Sequence, residues 1–583
     1  MQIFHEIGLV WRTIVLILAP VITLPILYID GSKEMACLYG VIIIATFWIT
    51  EALPLSITSL LPIVLFPVLG VLPASEVAVN YIKDASMFSF SCLTFALCVE
   101  KWQFHKRIAY GTLLAIGSSP KWLTIGFMIP TWFLSMWVNN TSATAMMLPV
   151  VTAVLNQLGE MESTVDSINI LLTSENDVFP KQHEETVLMQ TLTNNKKRLK
   201  KTNKAEYNYS NKKFKHLSKA LSLCVCYAAT LGGIGSITGS STNLIMQGQA
   251  DEIFESYGLQ SGVNFLNWFI SCFPIAVISL IIAWLWLVFY FFGIKEVFKF
   301  GCGDKEETKA MRAVIKSHLM DLGPLSFAEK AIMGHFFVLL IFWLTMKLPG
   351  EIGWSYFFKP EYVNNSTIGI FITLLLFIFP SQQPQCFCRG TEKNVSVPAL
   401  MDWKTIHENF PWGTWLLLGG GYTLAHICQE SGLSLWIGLQ LSVFASMEPW
   451  LMILTLSLTI SFLTEITSNA ATASILCPIL SELAISMQMN PLYFLYPATL
   501  ACSLAFMLPV ATPPNAIVFA TGHIKVKDMA KAGFVLNILC VVVVNIATNT
   551  WMNSFLQLNI LPLEMSRNIN KTVHIKTYLN STS

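Results

Sequence analysis

The chain has 583 residues, of which 54% are hydrophobic and only 12% charged, and its mean hydropathy is +0.57. Soluble domains carry about 25% charged residues, so half that share over this length excludes an ordinary soluble protein and predicts an all-α polytopic membrane protein. A formal net charge of +1 excludes a nucleic-acid binder, which needs a large basic surface.

A spanning helix needs about 20 mostly apolar residues. Such runs lie at 9–29, 36–71 (long enough for two passes, broken at Pro54), 86–100, 121–156, 219–246, 264–293, 331–347, 367–380, 411–428, 434–446, 450–485, 491–520 and 531–555. The first follows Arg12, is too long for a signal-peptide core and lacks an A-x-A-like exit, so it reads as a retained helix. Most of the thirteen cysteines, Cys92, Cys98, Cys272 and Cys540 among them, sit inside these runs as small apolar fillers. Cys386 and Cys388 have no second Cys or His pair at zinc-finger spacing.

The polar gaps set the orientation. Between Lys196 and Lys219 stand ten Lys or Arg and one acid, Glu206, which places the loop 157–218 in the cytoplasm by the positive-inside rule. The gap 295–330 reads the same way, and 381–410 lies two crossings further on. Between these two, 348–366 carries sequons at Asn364 and Asn365 and is expected outside, as is a tail with sequons at Asn570 and Asn580. A cytoplasmic N-terminus and an extracellular C-terminus require an odd number of crossings. About eleven transmembrane helices fit, provided that two of the apolar runs are re-entrant hairpins.

Two polar tracts interrupt apolar sequence: Trp137-Val-Asn-Asn-Thr-Ser-Ala-Thr144 and Thr464-Glu-Ile-Thr-Ser-Asn-Ala-Ala-Thr472. Aligning Asn140 with Asn469 also pairs Pro149 with Pro478. Downstream, each half has a second break ending in Asn: Thr238-Gly-Ser-Ser-Thr-Asn243 and Ala511-Thr-Pro-Pro-Asn515. The spacings agree once the basic loop is removed from the first half. Backbone groups freed by such breaks cannot be satisfied by lipid, so breaks survive only in protein or around a cavity. Corresponding breaks in two halves point to a secondary-transporter site. Freed carbonyls and hydroxyls suit a small hard cation such as Na⁺, and half-helix N-termini suit a carboxylate. The competing reading is interhelical hydrogen-bond glue.

These motifs, with Phe47-Trp-Ile-Thr-Glu-Ala-Leu-Pro-Leu55, His105-Lys-Arg-Ile-Ala109, Leu418-Gly-Gly-Gly-Tyr422, Glu430-Ser-Gly-Leu-Ser434 and Leu508-Pro-Val-Ala-Thr-Pro-Pro-Asn515, resemble the sodium-coupled divalent-anion symporter family of dicarboxylate, citrate and sulfate cotransporters. The resemblance covers almost the whole chain. It implies a homodimer at the plasma membrane, with a scaffold and a moving transport domain built from inverted repeats. It also implies elevator-type, electrogenic, inward carriage of the anion with several Na⁺, and no organic cofactor. The divisions expected on this basis are an N-terminal helix (1–34), a first repeat (35–296) with a hairpin near 121–156, a linker (297–326), a second repeat (327–557) with a hairpin near 450–485, and an extracellular glycosylated tail (558–583).

Site residues follow the same resemblance. Asn140, Thr141 and Asn469 would meet the anion with their side chains and Ala470 with its backbone alone; Ser240 and Pro513 would line it. One sodium would lie among Ser135, Asn139, Asn140 and Gly239, and a second among Thr464, Thr467, Asn469 and Ala511. Asn139 stands where the family has Ser, Ala470 lacks a hydroxyl, and His426 stands where a small residue or Lys is expected.

Ala511-Thr-Pro-Pro and Met401-Asp-Trp-Lys404 look like the di- and tricarboxylate members; Ser241-Thr242-Asn243, without a Pro, leans towards sulfate. No Lys or Arg lies within either hairpin motif, so the positive charge facing the anion has to come from sodium. Two other classes compete: a channel, which would lack paired breaks, and an integral-membrane enzyme, for which neither H-E-x-x-H nor a G-x-S-x-G appears. Glu51 and Glu465 are intramembrane carboxylates by sequence position, functional by default, with an interface placement open for Glu51 and a structural role open for Glu465.

Overall fold

The computed structural model describes residues 2–115, 119–155, 214–298, 312–347 (except 314 and 318), 353–359, 362–383, 397–441 and 447–566. Among them, regular structure is helical apart from one isolated bridge between Pro380 and Ala399. Two helices open the chain: α1 (Gln2–Thr23) and α2 (Lys33–Thr50). Then come α3 (Asp84–Lys101), α4 (Phe104–Ala115), α5 (Pro120–Ser135), α6 (Asn140–Leu155), α7 (214–233), α8 (Ser241–Glu255) and α9 (Phe265–Phe292). After α10 (Phe327–Leu344) and α11 (Asn365–Ile378), the same order returns. It runs α12 (Trp412–Glu430), α13 (Leu433–Leu441), α14 (Pro449–Leu463), α15 (Asn469–Ser486), α16 (Leu492–Ser503), α17 (Pro513–Phe519) and α18 (Val526–Ala547). The run expected at 36–71 breaks as Pro54 predicts: α2 ends at Glu51, in the left-handed region at φ 50, and short helices resume at Leu55 and Leu61.

Among the described residues, seven helical stretches are long and apolar enough to cross a membrane, and five shorter apolar helices accompany them. Their outward faces are greasy at helical spacing. Ile270, Ile278, Ile281, Leu285 and Phe289 line one side of α9, and Phe371, Leu374 and Ile378 one side of α11. Such stripes are a liability in water and are solvated by acyl chains in a bilayer. The helices α7 and α12 fall outside that apolar group because protein, not lipid, encloses them: 220–229 are all buried, as are Leu417 to Ala425 of α12. A helix that never meets lipid is free to carry Ser, Thr and Gly.

The glycines of α12 permit close approach. A Cβ on Gly420 would lie 2.7 Å from the Ser59 carbonyl oxygen, and one on Gly421 would lie 2.8 Å from Ser474 Oγ on α15. The far end of α8 is held by charge. Buried Glu252 accepts from Lys83, at the start of α3, and its Oε1 lies 2.6 Å from His426 Nδ1 on α12. His426, at the position where the family pattern has a small residue or Lys, is thus partnered. Glu51 is exposed at the end of α2 and lines a cavity of about 370 Å³ with Arg12, Ser56 and Thr414.

Two sequon asparagines are spoken for. Asn364 caps α11, accepting from Thr367 N at 3.0 Å and donating to Asp84, and Asn365 is buried. Most of the loop 157–218, part of the linker 297–326, Cys386, Cys388 and the tail sequons at Asn570 and Asn580 lie outside the described residues.

Candidate substrate and cation site

Helices α5 and α6 are two limbs separated by Met136 to Asn139, and α14 and α15 are separated by Thr464 to Ser468. Asn139 starts α6: its Oδ1 accepts from Thr141 N at 3.0 Å. An Asn or a Ser serves equally as an N-cap. The amide that departs from the family pattern is therefore occupied with helix capping.

The second breaks, 234–240 and 504–512, unwind between α7 and α8 and between α16 and α17. Each is closed by its terminal Asn. Asn243 Nδ2 donates to Gly233 O and Ser236 O, both at 2.8 Å, and Asn515 Nδ2 donates to Ala505 O and Leu508 O, both at 3.0 Å. The partners lie ten and seven residues upstream in both halves. This is the repeat written in hydrogen bonds, and it satisfies carbonyls that lipid could not.

In each half, an oxygen cluster stands at the hairpin break, reaching Gly239 of the second break in the first half and Cys502 near the end of α16 in the second. The Asn140 amide atom facing Ser135 Oγ lies 2.7 Å from it, 3.1 Å from Ala229 O and 3.2 Å from Gly239 O. With nitrogen there, the amide donates to both carbonyls. With oxygen there, four oxygens share one proton, that of Ser135. The partners decide: by themselves they favour nitrogen there, since all three atoms it faces can accept. At the matched place, Thr464 Oγ1 lies 2.8 Å from Asn469 Oδ1 and 2.9 Å from Cys502 O, one proton for two acceptors. Crowded oxygens short of protons are the donor set that a small hard cation needs.

Ser135, Thr464, Thr467, Gly239, Ala511 and Ala470 are buried; Asn139, Asn140, Thr141, Ser240 and Asn469 are half-buried; Pro513 is exposed. Thr467 is not turned towards Asn469: its Oγ1 donates to Leu463 O at 3.0 Å and pairs with Thr472 Oγ1 at 2.7 Å. Sequence reasoning missed the Ala229 and Cys502 carbonyls, which leave no mark in residue type. It also missed Gly233, where a Cβ would stand 2.2 Å from Asn140 Oδ1.

Glu465 has a defined task. Its carboxylate accepts from Met507 N (2.9 and 3.1 Å), Leu508 N (3.0 Å) and Asn537 Nδ2 (2.8 Å), tying the second hairpin to the second break. The two tips differ in cover. Trp137 packs edge-on against Phe336 of α10 at 4.9 Å, whereas Ile466 is 71% and Val510 80% exposed.

Helices with lipid-facing stripes around paired, mutually bonded breaks define a polytopic membrane transporter rather than an enzyme. The chain belongs to the sodium:sulfate symporter family, whose model for the transmembrane region matches residues 8–558. It is 42% identical to human solute carrier family 13 member 2, with 92% of each chain covered. It is 39% identical to rat solute carrier family 13 member 1, over 96% of this chain and 98% of that one. To the rat Na(+)/citrate cotransporter it is 38% identical, over 94% and 96%.

Proposed function

We propose that this protein is a symporter that carries di- and tricarboxylates, such as succinate and citrate, into the cell together with Na⁺. The observation that carries the reading is the pair of clusters in which side-chain and backbone oxygens converge on one hairpin amide each, Ser135, Ala229 and Gly239 on Asn140, and Thr464 with Cys502 on Asn469. Sodium at the first selects the orientation that turns the Asn140 oxygen inwards; Asn469 does the same at the second. The anion then sits by the half-buried tips Asn140, Thr141, Ser240 and Asn469, with Ala470 contributing backbone only and Pro513 at the rim. Asn139, Thr467 and Ala511 support the cations through their backbone.

Magnitudes favour sodium as the charge partner. A neutral hydrogen bond nets about 1 kcal/mol. A unit charge about 4 Å from another gains about 4 kcal/mol at an effective dielectric of 20. No Lys or Arg lies in either hairpin motif, so the cations supply what hydroxyls cannot, and each ion raises the affinity for the other by linkage.

The wider reading follows the family resemblance. Residues 35–296 and 327–557 act as inverted repeats in an elevator, two protomers pair, and the protein works at the plasma membrane. The N-terminus is cytoplasmic and the tail is extracellular, with glycans at Asn570 and Asn580. Sulfate is the second reading, favoured by Ser241-Thr242 ahead of Asn243 where carboxylate members have Pro. The test is uptake of labelled succinate, citrate and sulfate in Na⁺ and in choline medium. Saturable, Na⁺-dependent uptake of the carboxylates is expected. Equal uptake in both media would remove sodium coupling, and a preference for sulfate would reverse the substrate assignment.

A further inference from the structure

The two cation clusters lie in different halves of the chain, yet one row of hydroxyls joins them. Gly239, whose carbonyl faces Asn140, is followed by Ser240. Ser240 Oγ lies 2.8 Å from Thr242 Oγ1, and Thr242 Oγ1 lies 2.8 Å from Ser503 Oγ at the end of α16. Ser503 follows Cys502, whose carbonyl faces Thr464. Thr242 and Ser503 are fully buried, so water does not compete for these protons. Asn243, next to Thr242, fixes the first break through Gly233 and Ser236.

We infer that Thr242 and Ser503 are positioning residues that couple the first cation cluster and the anion tip at Ser240 to the second cation cluster. Each hydroxyl carries one proton, so a row of three aligns as a unit. When Ser240 donates to a bound anion, Thr242 donates to Ser240 and Ser503 donates to Thr242. The row then runs from the second half to the anion. Alignment in that sense draws the end of α16, with the Cys502 carbonyl, against the start of α8, with the Gly239 carbonyl. Occupancy of one cluster therefore shapes the other. A further buried tie between the halves, from Tyr227 OH of α7 to the Phe506 carbonyl at 3.2 Å, involves no atom of either cluster.

This inference rests on the sodium-coupled reading above, and the experiment separates the two. Uptake of whichever of succinate, citrate or sulfate Na⁺ stimulates most is measured against Na⁺ concentration. Wild type is compared with Thr242→Val, Ser503→Ala, the double variant and Thr242→Ser. In parallel, Na⁺ alone is titrated against the melting temperature of the purified full-length protein. Expected is a Na⁺ Hill slope that falls towards one in both single variants. The factor by which Na⁺ lowers the anion KM should shrink roughly threefold. The double variant should be no worse than Thr242→Val, which already loses both of the row's bonds, and Thr242→Ser should restore the slope. A structural role alone would lower the maximal rate and leave the slope unchanged. Unchanged slopes in Ser503→Ala and Thr242→Val, with Na⁺ activation intact, overturn the inference. Absence of any Na⁺ effect on wild type, in uptake and in melting, overturns the sodium reading instead.

Discussion

Asn140 sits where a side chain, two carbonyls and a hydroxyl converge, so its removal empties the centre of the first cluster. Hydrogen bonds to charged groups are worth about 1.5–3 kcal/mol each. Asn140→Ala and Asn469→Ala are each expected to cut saturable uptake by roughly 10- to 150-fold, with surface labelling unchanged. Gly233→Ala should match Asn140→Ala although it adds only a methyl group, because that methyl would stand 2.2 Å from Asn140 Oδ1; normal uptake kinetics in it would show that the amide has room to move. At this scale the sequence was readable where chemistry is carried by side chains. Asn140 and Asn469 announce themselves as polar residues in apolar runs. The Ala229 and Cys502 carbonyls do not, since any residue type supplies a carbonyl. The direction of the Thr467 hydroxyl was hidden for a related reason: a hydroxyl in a tract does not reveal which neighbour its proton finds, and here it is Leu463 and Thr472.

Broken helices raise a question of accounting at the scale of the element. Every unwound N–H and C=O needs a partner, and the second break of the second half obtains two of its acceptors from Glu465. Glu465→Ala strands the N–H groups of Met507 and Leu508, at about 1–3 kcal/mol for each, and Glu465→Gln keeps an acceptor. The alanine variant should therefore melt several degrees below the glutamine variant in detergent. A second element shows how capping and charge combine. Asp402 caps the helix Trp403–Asn409, accepting from Thr405 N at 2.8 Å. The Lys101 ammonium beside it, helped by that N–H, holds its carboxyl down to about 2. A carboxylate depressed this far contributes fully above its ordinary range and loses that contribution as pH falls from there towards about 2. Asp402→Ala should cost about 1 kcal/mol through the lost cap, measured by thermal melting, and Asp402→Asn should retain most of it. Helix existence was legible from apolar runs and the Pro54 break. Helix partners were not, because Glu252 and His426 stand 174 residues apart and nothing in their local sequence links them.

Across the whole molecule, the two halves share a plan and differ in cover. The matched bonds of Asn243 and Asn515 restate the sequence repeat in three dimensions, yet at the first tip Trp137 packs against Phe336 while at the second Ile466 is left exposed. A sequence carries the plan because both halves need the same breaks. It hides the difference because cover depends on where remote helices such as α10 stand. The tie from Lys83 and His426 to Glu252 joins α8 to the leading helices of both halves. Removing a partner from a buried ion pair costs about 3–5 kcal/mol. Glu252→Gln is accordingly expected to lower the melting temperature more than any single change at the exposed rim, such as Pro513→Ala, with a comparable drop in both contradicting the tie.

Side chains interdigitate when helices meet, and interdigitated rows resist sliding. Where Gly420 faces Ser59 and Gly421 faces Ser474, α12 presents bare backbone and has no teeth to engage. Under the elevator reading proposed above, a carrier needs contacts that do not lock, and bare backbone at these two contacts is the least obstructive that helices can offer. A Gly421→Val change would set a cog there. The expected result is a carrier whose melting temperature still rises with Na⁺ but whose turnover has stopped.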